Sequence, residues 1–353
     1  MRRSRSPVYL SAPALAVPGC SLSQEEAFSF LQENYGAGLS PRHRVYLKRL
    51  FGNRSIHKRH FAFTAPKILL DETPDQRIER FTEAAVALAG QATERALAAA
   101  GTSRQDVTAL VVNTCTGYLC PGLTSYLMEK LELNAEVRAF DLVGSGCGGA
   151  LPNLQSAESL ARVDGGPVVS VAVEICSATF EMGDDPGLLL SNALFGDGAA
   201  AAIVGSRPAG WQLLGSASLQ LPRLREAIRY VHRGGRLTNQ LSPELPALIG
   251  ETIPPLVREF LQELGYSSAD IRHWALHTGG ARIIDVLADR LELSEEQIRP
   301  ARAVLAKYGN LSSPTVLFVL DAIAQGEVKT GDLCLMLAFG AGFSAHAALL
   351  QKC

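Results

Sequence analysis

The feature that most constrains the fold of this chain is an internal duplication. Residues 94–114 (ERALAAAGTSRQDVTALVVNT) and residues 258–278 (REFLQELGYSSADIRHWALHT) both follow the order helix, glycine stop, short polar turn and strand. Four pairs match at a constant offset of 164 residues: Gly101 and Gly265, Asp106 and Asp270, Val107 and Ile271, Thr114 and Thr278. Chance rarely matches a whole supersecondary unit in this way. The duplication predicts two copies of one α/β unit that pack about a pseudo-twofold axis.

The two copies meet in a short segment of glycine and proline at residues 204–210 (VGSRPAG). We therefore expect an N-terminal half over residues 1–205 and a C-terminal half over residues 206–353. Helices alternate with strands through both halves, which is typical of an α/β protein.

The duplication also relates three polar side chains. Cys147 precedes a helix and the strand at 167–175, and Asn310 lies 163 residues later, before a helix and the strand at 332–340. His277 ends a strand of the second copy. If the copies pack about a twofold axis, these helix starts and strand ends converge on one cleft.

Composition excludes several classes of function. The chain has 353 residues and a formal net charge of -2, and no basic run lies beyond the first five residues, which disfavours nucleic acid or an anionic membrane as a partner. No apolar stretch approaches the roughly 18 residues of a membrane span. Pro7, Pro13 and Pro18 interrupt the apolar N-terminus, so a first strand is expected rather than a signal peptide. Seven cysteines without paired spacing indicate reduced thiols and a cytoplasmic protein.

A glycine-rich turn at residues 141–154 (DLVGSGCGGALPNL) has two interpretations. A Gly-x-Gly-x-x-Gly motif begins at Gly144 between a strand and a helix, and Glu174 ends the next strand, as a dinucleotide site would require. The alternative is that the turn presents the thiol of Cys147 at a helix N-terminus, where backbone N–H groups and the helix dipole favour the thiolate. The dinucleotide interpretation leaves Cys147 without a role.

Each candidate catalytic residue also has a structural interpretation. Cys147 could fill space in the core, His277 could be a satisfied strand-end residue, and Asn310 could cap a helix. As a set, they suit acyl transfer followed by carbon–carbon bond formation. The cysteine would take an acyl group, and the other two would stabilise the enolate that forms when a malonyl thioester loses CO2.

Five motifs in order resemble the type III polyketide synthases, which are the chalcone and stilbene synthase family of the thiolase superfamily. The motifs are GSGCGGA, ALFGDGAAAAIVG, LHTGG, KYGNLSSPTVLFVLDA and LAFGAGFS. The resemblance extends over essentially the whole chain. It implies a thiolase-like fold in which the two α/β halves form five layers (αβαβα), and it implies a homodimer.

The resemblance assigns Cys147 as the nucleophile, and His277 and Asn310 as its catalytic partners. Phe195 would stand where the CoA tunnel meets the cavity. We do not assign a chemical role to Asp197, in the turn LFGDG. The substrate-binding residues that the resemblance implies are Phe195, Cys115, Cys176, Thr179, Tyr230, Asn239, Ser312 and Cys120. The implied CoA-binding residues are Lys48, Arg49 and Arg54.

The sequence departs from the plant members of this family at several cavity positions. Asn239 replaces a second gating phenylalanine, and Tyr230 falls near a cavity glycine, so one gate is expected to be more polar and one wall closer. Cys115 and Cys176 replace threonines of the cavity. Cys120 falls where the family reaches into the cavity of the partner subunit.

These observations predict an enzyme that loads an acyl-CoA starter on Cys147 and extends it repeatedly with malonyl-CoA before cyclisation to a pyrone or phenol. CoA thioesters would be the substrates, with no resident cofactor and no metal. Two alternatives remain open within the same fold. One is a ketoacyl synthase III-like or chain-joining ketosynthase that performs a single condensation, and the other is a non-catalytic partner subunit.

Overall fold

The computed structural model describes residues 6–353 and has a large mixed sheet at its centre. Its strands are β1 (Val8–Leu10), β2 (Ala14–Ala16), β3 (Cys20–Ser23), β4 (Lys58–Phe61), β5 (Ala109–Asn113), β6 (Arg138–Leu142), β7 (Val168–Glu174), β8 (Gly198–Gly205), β9 (Trp211–Gln220), β10 (Ile228–Arg233), β11 (Arg236–Leu241), β12 (His273–Leu276), β13 (Leu333–Gly340) and β14 (Ser344–Lys352). Its α-helices are α1 (Gln24–Tyr35), α2 (Pro41–Phe51), α3 (Pro74–Ala100), α4 (Leu123–Lys130), α5 (Ala150–Asp164), α6 (Pro186–Leu194), α7 (Leu245–Leu264), α8 (Ala281–Leu291), α9 (Glu295–Tyr308) and α10 (Thr315–Ala324).

The order of strands in the sheet repeats across its two halves. The full order is β12-β13-β14-β9-β1-β8-β7-β5-β6, and β2 also pairs with β8. In the first half β5 is parallel to β7, and β7 is antiparallel to β8. In the second half β12 is parallel to β13, and β13 is antiparallel to β14. The predicted duplication is therefore confirmed in the topology.

The matched residues of the two copies have matching local structure. Helices α3 and α7 both end at a glycine in the left-handed conformation, Gly101 with φ of 58° and Gly265 with φ of 85°. Glycine adopts this conformation at little steric cost, and it ends a helix in both copies. A short 3-10 turn follows each helix and ends at Asp106 or Asp270.

Helices α5 and α10 both pack on the large sheet, and α5 contacts strands of both halves. Helix α5 packs on β5 and β7 of its own half and also contacts β14 of the other half. Helix α10 (TVLFVLDAIA) packs on β12 and β13. Since apolar residues on several faces of α10 are buried, it is a core helix rather than a surface one. These helices follow Cys147 and Asn310 respectively, as the offset predicts.

Two hairpins flank the central sheet, β3 with β4 and β10 with β11. The predicted first strand is present as β1, whereas the arginines at its start lie in residues 1–5, outside the described residues. The proposed division at residue 205 stays a prediction. Within residues 6–353, no helix combines the length and apolar character that a membrane span requires.

Candidate active site

Cys147 lies in a 3-10 turn, Gly146–Gly148, that leads directly into α5, and it is 7% exposed. The turn packs closely against Gly340, the last residue of β13. A Cβ on Gly340 would lie 2.5 Å from the amide N of Gly148 and 3.1 Å from that of Cys147. Gly146 has φ of 55°, a conformation that favours glycine. The glycines of the motif thus allow the turn Gly146–Gly148, which we call the nucleophile turn, to pack closely against β13 in the other half of the sheet.

His277 follows β12 and is almost completely buried. Its backbone N–H donates to the carbonyl of Leu337 over 2.8 Å, and its ring meets the ring of Phe339 edge to face at 5.2 Å. The ring atom Nδ1 has no hydrogen-bond partner among the described residues. Burial lowers the pKa of His277 from its usual 6.5 to about 3. The resting imidazole is therefore neutral and able to accept a proton.

Asn310 is held by its backbone and by one side of its amide. Its N–H donates to the carbonyl of Leu194 over 2.9 Å, and its own carbonyl accepts from Gly196 over 3.0 Å. Its Oδ1 accepts from the backbone N–H of Ser312 over 2.8 Å. The structure records no partner for its Nδ2 within residues 6–353. The fixed amide oxygen leaves the NH2 group as the donor available to a ligand.

A single cavity joins these residues. Cys147, His277, Asn310 and Phe195 all line it, and its volume is 560 Å³. Arg49 of α2 and Arg282 of α8 line the same cavity. We refer to it as the entrance cavity. The three residues predicted from different parts of the chain therefore meet around one space of a size that suits a small organic ligand.

The electrostatic state of Cys147 differs from the sequence expectation. Burial raises its pKa from 9.0 to about 12, and a hydrogen bond from Ser312 acts in the opposite direction. The resting group is a thiol, because the cost of burying a thiolate exceeds the stabilisation that the helix N-terminus gives it. A thiolate therefore requires proton transfer to a neighbouring base.

Ser312 connects Cys147 to a buried carboxylate. Its Oγ donates to Sγ of Cys147 over 3.3 Å, and it also lies 3.4 Å from Sγ of Cys115 and 3.5 Å from Oε1 of Glu174. Its φ of 59° is unusual for a residue other than glycine. Strain of this kind is typical of residues that a site holds in a required position.

Glu174 is completely buried at the end of β7. Its carboxylate accepts from Ser313 over 2.6 Å, from Thr116 Oγ1 over 2.9 Å and from the backbone N–H of Cys115 over 2.9 Å. Burial raises its pKa. The carboxylate is therefore buried and hydrogen-bonded to protein donors. Glu174 does not have the exposed position that a ribose-binding acid requires.

Several residues of the predicted substrate set cluster near this network. The hydroxyls of Tyr230 and Thr179 lie 3.3 Å apart, and Thr179 donates to the carbonyl of Cys176 over 2.9 Å. Asn239 lies directly across the β10–β11 hairpin from Tyr230. Burial raises the pKa values of the Cys176 and Tyr230 side chains well above their usual range. All four residues therefore belong to one region near Cys176.

The remaining predicted residues lie in different places. Arg49 lines the entrance cavity, whereas Lys48 and Arg54 are exposed side chains that do not line it. Cys120 is exposed and also lies outside that cavity. Asp197 accepts from the backbone and hydroxyl of Ser177, which agrees with a structural role for the turn.

Sequence reasoning missed the connection through Glu174, and it missed Arg282. From the sequence, Glu174 is interpreted only as a ribose ligand of a dinucleotide site. Four hydroxyl residues, Thr114, Thr116, Ser312 and Ser313, flank Cys115 or follow Asn310. Such donors beside predicted site residues are the available signal for a buried acid, because a buried carboxylate needs several hydrogen bonds.

Family models match almost the whole chain. Residues 2–208 match the model described as "Chalcone and stilbene synthases, N-terminal domain", and residues 212–353 match the corresponding C-terminal domain. A 3,5-dihydroxyphenylacetyl-CoA synthase from Amycolatopsis balhimycina is 30% identical over 347 residues, which cover 95% of this chain and 91% of that protein. A 1,3,6,8-tetrahydroxynaphthalene synthase from Streptomyces griseus is 30% identical over 348 residues, which cover 96% of this chain and 91% of that protein.

Solved structures agree with these matches. The 1,3,6,8-tetrahydroxynaphthalene synthase of Streptomyces coelicolor A3(2) superposes with a TM-score of 0.91 at 26% identity, and covers 97% of this chain and 99% of its own. PKS-I from the brown alga Ectocarpus siliculosus has a TM-score of 0.89 at 27% identity, and the match covers 99% of this chain and 100% of that protein. The predicted thiolase-like fold is confirmed. With family matches over both halves and this common fold, the chain belongs to the chalcone and stilbene synthases, and is an acyltransferase of the type III polyketide synthase class.

Proposed function

We propose that Cys147 is the nucleophile of this polyketide synthase and that His277 and Asn310 assist both halves of its reaction. The observation that carries this assignment is that all three side chains line the entrance cavity together with Phe195. CoA thioesters are the substrates, and no resident cofactor or metal takes part.

In the loading step, the thiol proton of Cys147 passes to the neutral imidazole of His277. Sγ then attacks the carbonyl carbon of the starter thioester, and the CoA sulfur leaves with the proton from His277. Burial disfavours each separate ion, but an adjacent thiolate and imidazolium stabilise one another. Ser312 adds a hydrogen bond to the sulfur.

In the extension step, malonyl-CoA loses CO2, and the electron pair of the broken bond becomes an enolate. The ring of His277 and the free NH2 group of Asn310 donate to the enolate oxygen. Its carbon attacks the acyl group on Cys147, which releases the thiolate and forms a β-ketoacyl-CoA. Phe195 supplies an apolar wall that disfavours the malonyl carboxylate. Transfer of the product back to Cys147 begins another round.

The cavity entrance has the charge that CoA requires. Arg49 and Arg282 have no ion-pair partner within the described residues, and both line the entrance cavity. Guanidinium groups bind phosphate oxygens through paired N–H donors. Of the three CoA residues expected from the sequence, Arg49 has the strongest support, while Lys48 and Arg54 would contribute only from outside the cavity.

The enzyme acts as a homodimer in this proposal. Within residues 6–353, strand β6 pairs only with β5 and so forms an edge of the large sheet, with one side of its backbone unpaired. Phe140 on β6, Val143 just after it and Tyr118 nearby are exposed, which marks an apolar edge that a second copy would cover. Cys120, in the same loop as Tyr118, would then approach the partner's cavity. The free cysteines suit the cytoplasm.

The nucleophile is tested with labelled malonyl-CoA and a panel of acyl-CoA starters. Wild-type protein is expected to release CO2 and form labelled products, and Cys147→Ala is expected to form none. Cys353→Ala is the matched control, since Cys353 is exposed at the end of the chain. Condensation by Cys147→Ala at the wild-type rate would refute the assignment.

The number of condensations separates the proposed reaction from that of a ketosynthase with a single condensation. Mass analysis of the same products gives the number of malonyl units in each. Two or more units support iterative extension, whereas products with one unit support the alternative. A correctly folded protein that forms no product with any starter would support the non-catalytic subunit.

A further inference from the structure

Helix α2 and the turn that follows it form one wall of the entrance cavity. Tyr46 and Arg49 of α2 and Asn53 of the turn line this cavity, and so does Cys147. The guanidinium of Arg49 lies over the ring of Tyr46, 5.8 Å from its centroid. A thioester that enters along this wall therefore leads to the proposed nucleophile. The outer side of the same helix faces solvent beside the entrance.

The exposed side of α2 carries positive charge around one apolar side chain. Val45 is 70% exposed although its side chain is aliphatic. Residues three or four positions apart are neighbours on a helix, so Val45 lies beside the exposed cations Arg42, Lys48 and Arg49. Arg44 is also exposed, one turn before Lys48. We call the surface formed by Arg42, Arg44, Val45, Lys48 and Arg49 the basic face.

The described part of the chain does not neutralise the basic face. No aspartate or glutamate occurs between Glu33 and Asp71, whereas this segment holds eight lysines and arginines. The carboxylate of Asp184 lies against the start of α2, but it binds His43 and Ser40. The four cations of the basic face form no ion pair within residues 6–353. Because the whole chain has a formal net charge of -2, this positive charge is a local feature.

The stability of α2 does not explain these cations. Arg42 and Arg44 lie in its first turn, at the positive end of the helix dipole, where cations are unfavourable. Arg44 and Lys48 carry like charges four residues apart, which also destabilises a helix. A bound anionic partner would relieve both repulsions. The charge pattern of α2 therefore indicates such a partner.

The extent of the basic face favours an acidic protein over a free nucleotide. Arg42 and Arg49 are seven residues apart, which is about 10 Å along the helix axis. Of the five residues of the face, only Arg49 lines the entrance cavity. CoA phosphates bound at Arg49 would leave Arg42 and Arg44 unpaired and Val45 exposed. An apolar centre with charged groups around it is typical of a surface that docks another protein.

We propose that the basic face docks an acidic carrier protein, which delivers the acyl starter as a thioester on its phosphopantetheine arm. This assignment depends on the proposed function, because Cys147 receives the starter. The arm enters the entrance cavity beside Arg49, which binds the phosphate at the base of the arm. Malonyl-CoA remains the extender.

Transfer from the carrier uses the same chemistry as loading from CoA. The sulfur of Cys147 forms a bond to the carbonyl carbon of the starter, and the bond from that carbon to the pantetheine sulfur breaks. The thiol proton of Cys147 passes through His277 to the departing sulfur. The carrier therefore leaves with a free thiol, and the step needs no oxidant or further reactant.

The test compares one acyl starter in two forms, as its CoA thioester and on the acidic acyl carrier protein of a bacterial fatty acid synthase. Mass spectrometry of the intact enzyme measures acylation of Cys147, and labelled malonyl-CoA reports the products. We expect a higher kcat/KM for the carrier-bound starter at low salt. This value should fall at least tenfold between about 25 mM and about 500 mM salt, because salt screens the charges that bring the two proteins together.

Charge reversal tests the part of the basic face that lies outside the cavity. Arg42→Glu combined with Arg44→Glu should lower kcat/KM for the carrier-bound starter at least tenfold. It should leave kcat/KM for the CoA thioester within about twofold of wild type, because neither residue lines the cavity. Arg258→Glu combined with Arg299→Glu is the matched control. It makes the same change in net charge at exposed residues outside the cavity, and it should retain the wild-type ratio of the two values.

Val45→Ser tests the apolar centre of the face. This substitution removes an apolar contact with the carrier and leaves the charge unchanged. It should lower kcat/KM for the carrier-bound starter severalfold, at high salt as well as at low salt, and leave that for the CoA thioester unchanged. Thermal unfolding of each variant identifies a loss of activity that arises from misfolding.

The outcomes distinguish this assignment from the function on which it depends. Equal losses for both forms of the starter on charge reversal at Arg42 and Arg44 would refute carrier docking alone. So would a wild-type enzyme that loads from CoA but not from the carrier. If that enzyme instead bound vesicles of anionic phospholipid through these arginines, the face would belong to a membrane contact. Absence of acylated Cys147 with both forms would overturn the proposed function as well.

Discussion

The hydroxyl of Ser312 lies 3.3 Å from the sulfur of Cys147, and the backbone that places it there has φ of 59°. A side chain in this left-handed conformation costs about 1 kcal/mol or more. Burial alone leaves the thiol with a pKa of about 12, and this hydrogen bond opposes that shift. The strained backbone at Ser312 therefore accompanies a contact that makes the nucleophile easier to ionise.

Ser312→Ala is expected to raise the pKa of Cys147 further. A hydrogen bond to a charged group contributes about 1.5–3 kcal/mol, so alkylation of Cys147 by iodoacetamide should slow about tenfold or more. The rate is measured against pH by mass spectrometry of the peptide that contains Cys147.

Ser312→Gly is the matched control for backbone strain. Glycine also removes the hydroxyl but adopts positive φ without strain. Both variants should slow alkylation equally, while Ser312→Gly should be the more stable of the two in urea. Alkylation at the wild-type rate in both variants would show that the hydroxyl does not act on the thiol.

Gly340→Ala is expected to displace the nucleophile turn. The added Cβ would overlap the carbonyl oxygen of Ser145 and lie 2.5 Å from the amide N of Gly148. Because both obstacles are backbone, the turn must move, and a shift of about 1 Å can cost about 100-fold in rate. We expect kcat to fall by that order.

Gly205→Ala is the control for this substitution. The nearest atom to its added Cβ is 3.7 Å away, an ordinary contact. Its kcat should remain within about twofold of wild type. Equal activity of both alanine variants would contradict the proposed close fit of Gly340 on the turn.

The fold and the three reactive residues could be predicted because they depend on local pattern and repetition. Gly101 and Gly265 end equivalent helices, and the same offset relates the turns that follow them. Cys147 and Asn310 precede equivalent core helices. Such features are encoded within short segments, and the duplication supplies the long-range relation between them.

The protonation state and the shape of the site could not be predicted in the same way. The pKa of Cys147 depends on how much water the whole fold excludes. The helix N-terminus alone predicts a lowered pKa, which is wrong, because burial raises it. Glu174 and Ser313 are 139 residues apart in sequence and 2.6 Å apart in space. Nothing local to either residue specifies that contact.

Stability is expected to fall below about pH 6.5 because of His346. This residue of β14 is buried, and its Nδ1 is 2.8 Å from Oγ of Ser218, while its Nε2 has no hydrogen-bond partner among residues 6–353. Burial lowers its pKa from 6.5 to about 4. Below pH 6.5 the unfolded chain binds a proton that the folded one does not, so unfolding becomes easier. The contribution between pH 7 and pH 5 is about 2 kcal/mol.

His346→Gln should remove this part of the pH dependence, since glutamine keeps a polar partner for Ser218 and does not titrate. The free energy of unfolding is measured in urea at pH 7 and pH 5 for both proteins. His277 is also buried with a lowered pKa, so the His346→Gln variant should keep part of the dependence of its unfolding free energy on pH. Identical slopes would exclude His346 as a source of the acid sensitivity.

Arg49→Ala is expected to raise KM for malonyl-CoA about tenfold with a smaller effect on kcat. Arg49 lines the entrance cavity, where its guanidinium would bind a CoA phosphate through charged hydrogen bonds. Lys48→Ala provides the comparison, because Lys48 directly precedes Arg49 in α2 but does not line the cavity. Equal changes in KM for the two variants would indicate a general effect of charge instead.

Tyr230→Ala is expected to increase the number of malonyl units in the products. The phenol lies 3.3 Å from the Thr179 hydroxyl, and the nearby thiols of Cys115 and Cys176 add to the rise in its pKa that burial causes. Its ring therefore lies close to the proposed nucleophile Cys147, where the growing chain would be attached. Tyr230→Phe keeps the ring and loses only the hydroxyl, so its product length should match wild type. Product masses from the three proteins with one starter provide the measurement; the same length in all three would mean that another wall limits extension.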